Sequence, residues 1–186
     1  GNNGRISIGF SANSSDYGAA VAIQSDGKIV VAGYSNENGN TNFAVARYNP
    51  DGSLDSTFDQ DGKVTTDFAG GVDHARTVYI QTDGKILVGG NCANPGEVVF
   101  NDYALVRYNA DGSLDTSFDG DGKIRTNILN LHDNVNALTV QSDGKIVVAG
   151  GCGTSLDFCA LRLTAQGILD STFGSGGIRR AGAAHR

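Results

Sequence analysis

Short apolar-rich runs alternate with breaks of Gly, Asp, Asn and Ser along all 186 residues, and no stretch sustains the 3.6-residue period of an amphipathic helix. The runs also return in the same order. Gln24-Ser-Asp-Gly-Lys-Ile-Val-Val-Ala-Gly33 comes back as Gln81-Thr-Asp-Gly-Lys-Ile-Leu-Val-Gly-Gly90 and again as Gln141-Ser-Asp-Gly-Lys-Ile-Val-Val-Ala-Gly150. The intervals between the glutamines are 57 and 60 residues. A period of this length marks a repeat architecture, in which each unit buries its apolar faces on its neighbours.

Four strands are predicted per repeat, at 19–24, 28–34, 43–49 and 63–68 in the first. Ser25-Asp26-Gly27 joins the first two, and Asp-Gly is a strong hairpin signal because Gly accepts positive φ without strain. Eight Asp-Gly pairs occur in the chain. In the third strand, Phe43-Ala-Val-Ala-Arg-Tyr48, both alternating sets of side chains are largely apolar, and a strand apolar on both faces is covered on both. Tyr103-Ala-Leu-Val-Arg-Tyr108 and Phe158-Cys-Ala-Leu-Arg-Leu163 repeat the pattern. The expectation is an all-β, β-propeller-type stack of three four-stranded antiparallel blades. The hairpin turns and the repeat length favour blades over the shorter coils of a β-solenoid. One repeat domain spans 1–186, with repeats near 16–70, 73–129 and 133–180 and a tail at 181–186.

The period is out of phase with the chain. Gly4-Arg-Ile-Ser-Ile-Gly-Phe10 aligns with Gly62-Lys-Val-Thr-Thr-Asp-Phe68, so 4–10 is read as an orphan fourth strand. Three blades are fewer than the usual ring of about 4 to 8. Two apolar blade faces and one orphan strand are then left to pair elsewhere, either with more of a longer chain or with copies of this one. Association into an oligomer or filament, through blade faces and strand addition, is the favoured expectation.

The motif Gln-x-Asp-Gly-Lys-Ile-x-Val-x-Gly, then Phe/Tyr-Ala-Leu/Val-x-Arg-Tyr-Asn-x-Asp-Gly-Ser-Leu-Asp-x-x-Phe, then Gly-Lys-Val-x-Thr, resembles the delta-60 repeat family of bacterial surface and secreted proteins. Arg47 to Asp55 and Arg107 to Asp115 are its best stretches. Repeat 3 is eroded, reading Arg162-Leu-Thr-Ala-Gln-Gly-Ile-Leu-Asp170. The resemblance implies propeller-type blades and an extracellular or cell-surface setting, and it brings no catalytic residue.

Composition narrows the function. With 14 Lys and Arg against 20 Asp and Glu, a net charge of −6 and no basic cluster, nucleic acid is not an expected partner. No apolar run approaches the ~20 residues that cross a bilayer as a helix. A chain that begins at Gly1 and contains no Met is expected to be a processed form or a fragment. Cys152 and Cys159 flank a short loop between two predicted strands and are expected to form a disulfide. Cys92 sits at the position equivalent to Cys152 but has Ala104 where Cys159 would be, so it is expected to be unpaired or inter-chain. The competing reading is three inert thiols. The disulfide fits an exported protein.

Several groups are candidates for chemistry. Asp16, Asp73 and Asp133 each open a first strand eight residues before the repeat's Gln, and either ring a central cation or cap the turns entering those strands, the latter being favoured. Asp59 and Asp61, and again Asp119 and Asp121, put alternate carboxylates beside a Gly turn, which is a minimal Ca²⁺-loop pattern without the distal Glu of an EF-hand. Plain turns are the alternative, and no other cofactor is expected. Arg47–Asp55, Arg107–Asp115 and Arg162–Asp170, each eight residues apart, are expected to be structural pins. His74 and His132 each lie beside an aspartate, but no nucleophile or metal-ligand spacing accompanies them.

The resulting expectation is a non-enzymatic extracellular structural or adhesive repeat module that associates with itself. Binding specificity would sit in the loops at 35–42, 91–102 and 153–157, with Asn91, Pro95 and Phe100 as the marked residues of the longest. The alternatives are a carbohydrate- or Ca²⁺-binding propeller module, with a surface glycan as partner, and a glycan-acting propeller enzyme.

Overall fold

The computed structural model describes residues 4–68, 70–94, 102–128, 132–153 and 157–181. Pro95 and Phe100, and with them most of the 91–102 loop, lie outside that set. The described residues form twelve strands in three antiparallel sheets. Blade 1 is β1 (Ser15–Ile23), β2 (Ile29–Glu37), β3 (Asn40–Tyr48) and β4 (Lys63–Thr66). Blade 2 is β5 (His74–Ile80), β6 (Ile86–Cys92), β7 (Asp102–Tyr108) and β8 (Lys123–Thr126). Blade 3 is β9 (Asp133–Val140), β10 (Ile146–Cys152), β11 (Asp157–Leu163) and β12 (Ile178–Ala181). Within each sheet the strands stand in sequence order.

The glycine that ends the motif in all three repeats has a direct steric cause. Each first strand carries a β-bulge, between Gly18 and Ala20 in β1, between Ala75 and Thr77 in β5, and between Val135 and Ala137 in β9, where the register shifts opposite Gly150 and Ala149. The bulge presses the first strand's backbone onto the last glycine of the motif. A Cβ on Gly33, Gly90 or Gly150 would lie 1.8, 2.0 or 1.7 Å from the carbonyl oxygen of Tyr17, His74 or Asn134. No side chain fits there. In the hairpins, Gly27, Gly84 and Gly144 take φ of 84°, 84° and 82°, while each preceding Asp accepts a hydrogen bond from the Lys amide two residues on.

Blade 2 is packed on both sides. Every residue of β6 and β7 is buried, because alternate residues enter different cores. Ile86, Val88, Val106 and Tyr108 meet Val30, Phe43, Val45 and Phe58 of blade 1. Leu87, Tyr103, Leu105 and Phe118 meet Ile146, Val148, Leu161 and Leu163 of blade 3. Each such side chain stabilises the stack by roughly 1.5–3 kcal/mol through burial.

Two expectations are corrected. Residues 4–10 form no strand in any sheet, since β1 to β4 already complete blade 1 and no other described strand pairs with them. The 35–42 segment is not a variable loop. Its polar residues extend β2 and β3 as far as the pair Glu37–Asn40, closed by a tight turn at Asn38 (φ 53°) and Gly39 (φ 87°). Asn38-Gly39 was the available signal.

Candidate functional site

The most strongly built polar feature is a node repeated in every blade. Arg47 lies on β3, and the chain leaving β3 folds back so that the Asp55 amide bonds the Arg47 carbonyl at 2.9 Å. Arg47 Nε then donates to Asp55 Oδ2 at 2.7 Å. Arg107 and Asp115 meet at 2.7 Å, and Arg162 and Asp170 at 2.8 Å. Two further members escaped the sequence reading. Lys28 reaches Asp55 Oδ2 at 3.2 Å, as Lys85 reaches Asp115 at 2.9 Å and Lys145 reaches Asp170 at 3.1 Å. The guanidinium of Arg47 also lies 4.7 Å from the Phe58 ring centroid, with Arg107 over Phe118 at 4.4 Å and Arg162 over Phe173 at 4.8 Å. Recurrence of Phe three residues after each Asp, and of Lys four residues after each repeat's Gln, was the signal.

Burial opposes ionisation of Asp55, but the Thr57 hydroxyl and amide, Lys28 and Arg47 outweigh it and hold the carboxyl well below the usual range. Asp115 is held down in the same way by Ser117, Lys85 and Arg107 against its own burial. Asp170 is lowered chiefly by the hydroxyl and amide of Thr172.

The node also joins blades. Arg47 Nη1 donates to the carbonyl of Ala110 in blade 2 at 2.5 Å, and Arg107 Nη1 to that of Ala165 in blade 3 at 2.6 Å. Beside them the Asp59 amide bonds the Asp111 carbonyl at 2.7 Å, and the Asp119 amide bonds the Gln166 carbonyl at 2.9 Å. Asp59 (φ 46°) and Asp119 (φ 53°) thus serve the blade junction through their backbones. Asp61 and Asp121 accept from the amides of Lys63 and Lys123, at 2.9 and 2.8 Å. Among the described residues no three carboxylate, imidazole or thiol groups converge as a metal site would require.

The aspartates that open the first strands act on turns. Phe68 N–H donates to Asp73 Oδ2 at 2.8 Å, Ile128 N–H to Asp133 Oδ2 at 2.8 Å and Phe10 N–H to Asp16 Oδ2 at 3.1 Å. Burial pushes Asp73 up to about 6. Burial also raises Asp133. His74 packs against Tyr34 with ring centroids 4.3 Å apart, and burial, followed by the charge of Arg76, lowers its pKa. Asn91 is buried and accepts from Arg76 Nε at 2.8 Å, so it holds β5 to β6.

Cys152 and Cys159 form a disulfide across β10 and β11, Cα to Cα 5.8 Å. Cys92 is the unpaired thiol of the two expectations. It is fully buried, and burial pushes its pKa up to about 12. An inter-chain bond at Cys92 is closed off by that burial.

A cleft of about 910 Å³ between blades 1 and 2 is lined by Lys28, Arg47, Thr57, Gln81 and Asp111 among others, so its charged walls largely belong to the node already described. Larger consequences lie at the ends of the stack. Val78 and Ile80 of β5 pack against blade 1, and Leu138 and Val140 of β9 against blade 2. Their counterparts in β1, Val21 and Ile23, are 65% and 71% exposed. At the opposite end Phe158 is 79% exposed, although Phe43 and Tyr103 at the same position are fully buried.

Stacked four-stranded blades joined by repeated pins define a β-propeller-type repeat protein. The family model described as a domain of unknown function (DUF5122) beta-propeller matches residues 24–58, 81–118 and 141–173, more than half of the chain. The chain belongs to that family. No curated protein matches it. Each matched segment runs from the repeat's Gln to the Phe of the node. No helix among the described residues is long and apolar enough to cross a membrane.

Proposed function

We propose that this protein is a non-enzymatic extracellular structural or adhesive module, of the bacterial delta-60 repeat kind, whose activity is to associate with copies of itself through its terminal blade faces. The observation that carries the reading is the contrast at equivalent positions. Val21, Ile23 and Phe158 are exposed at the two ends, while the same positions inside the stack lie in its cores. Isolated exposed apolar residues are ordinary, but here they are the registered contact residues of a packing mode the chain already uses twice.

The two ends differ from each other, so the contact is head-to-tail, and it either closes a ring or runs on as a filament. The Cys152–Cys159 disulfide supports an oxidising location. The polar pins tie one blade to the next through the Ala110 and Ala165 carbonyls, which favours a mechanical role. Sedimentation across a concentration range tests the reading. Assembly that depends on concentration is expected, and a monomer throughout would overturn it.

A further inference from the structure

Residues 4–10 sit on blade 1 in the way a fourth strand of a preceding blade would. Lys63 Nζ donates to the Gly9 carbonyl at 3.1 Å, as Lys123 Nζ donates to the Asp67 carbonyl at 3.3 Å. Phe10 N–H donates to Asp16, as Phe68 N–H does to Asp73 and Ile128 N–H does to Asp133. Ile6 Cδ1 lies 2.6 Å from the place a Cβ on Gly52 would take, and Ile124 Cδ1 of β8 lies 2.6 Å from the same place on Gly167. Three separate contacts thus put 4–10 in register with β4 and β8.

The end faces also carry matched unpaired groups. Arg162 bonds Asp170 and Thr172, but its Nη1 has no acceptor among the described residues, whereas Arg47 and Arg107 donate theirs to the next blade. The Gly174 amide, at the position of Asp59 and Asp119, likewise has none. Their acceptors by the period are the carbonyls of Pro50 and Asp51, which accept nothing from the described residues. Two donors on blade 3 therefore face two acceptors on blade 1 when copies stack head to tail. An unmade hydrogen bond in a covered interface is costly, so such matching favours this partner over an unrelated apolar surface.

When blade 3 of one copy covers blade 1 of another, β12 and the second copy's 4–10 segment compete for one edge of β11. Arg179 of β12 stands opposite Ala160, where Val64 and Ile124 stand opposite Val45 and Leu105 in the covered blades. Ile6 is the apolar residue at that position in 4–10. Burying Arg179 between two blade faces without a partner is unfavourable, and burying Ile6 is favourable.

We propose that residues 4–10 of one copy form the outer strand of blade 3 of a second copy, with Ile6 opposite Ala160 and Ile8 opposite Phe158, displacing β12. The proposal rests on the self-association reading and adds the strand exchange to it.

Amide hydrogen exchange of the full chain, read peptide by peptide at dilute and concentrated protein, tests it. On assembly the amides of 5–9 should gain at least about tenfold protection, and those of 178–181 should lose a similar factor. Deleting 178–186 should tighten assembly, and Ile6→Asp should weaken it. Assembly in which 178–181 stay protected and 4–10 do not change would overturn the exchange and leave face-to-face docking standing. A chain that is monomeric at every concentration would overturn both.

Discussion

The carboxylate of Asp115 and the guanidinium of Arg107 meet at 2.7 Å where both side chains are almost fully buried. Neither charge has water to fall back on, so each depends on the other and on Lys85, Ser117 and the Ala165 carbonyl. Removing one member of such a pair strands the other. Asp115→Asn is expected to destabilise the fold by about 3–5 kcal/mol in urea titrations. Replacing both residues together, as Arg107→Met with Asp115→Leu, should destabilise less than the single change.

Acid should weaken the protein over a defined window. Asp55, Asp115 and Asp170 have folded pKa values below the ordinary 3.8. Their stabilisation is complete above that value and is lost as pH falls through it towards the folded pKa. Asp73 acts in the opposite sense. Its pKa of about 6 means that the folded state holds its proton more tightly than the unfolded chain does. Stability is therefore lost as pH rises from 3.8 to about 6, by up to about 3 kcal/mol. Asp73→Asn keeps an acceptor for the Phe68 amide and should flatten that limb in denaturation measured from pH 4 to 7.

The repeat itself identifies a missing cross-link. Ala104 stands opposite Gly90, as Cys159 stands opposite Gly150, and Cys92 occupies the place of Cys152. Ala104→Cys should close a second disulfide with Cys92. Thiol titration in denaturant would read one free thiol in the wild type and none in the variant. Without denaturant, wild-type Cys92 should resist alkylation, because it is fully buried and its pKa is pushed up to about 12.

Gly90→Ala puts a methyl group 2.0 Å from the His74 carbonyl oxygen in the middle blade. The strand cannot retreat without breaking the bulge, so a loss of roughly 3 kcal/mol or more is expected in thermal or chemical unfolding.

Much of this was legible in the sequence because it is local or periodic. Asp26-Gly27 dictates a turn by backbone chemistry alone, and Arg47 and Asp55 are close enough along the chain to be paired by offset. Lys28 was missed as a partner of Asp55 because 27 residues and two strands separate them, and only the folded hairpin brings them together. The polar run at 35–42 read as loop, since its stabilisation comes from cross-strand hydrogen bonds and not from burial. Residues 4–10 have the pattern of a strand and form none, because a strand exists only where another edge is offered.

Sedimentation equilibrium on the wild type, Ile23→Asp and Phe158→Asp tests most directly whether the terminal blades are joined. Both substitutions alter exposed positions, so circular dichroism and Tm should stay near wild type. The wild type should assemble, and each variant should raise the dissociation constant by at least about tenfold. Variants that assemble as tightly as the wild type, or a wild type that remains a monomer throughout, would contradict the reading.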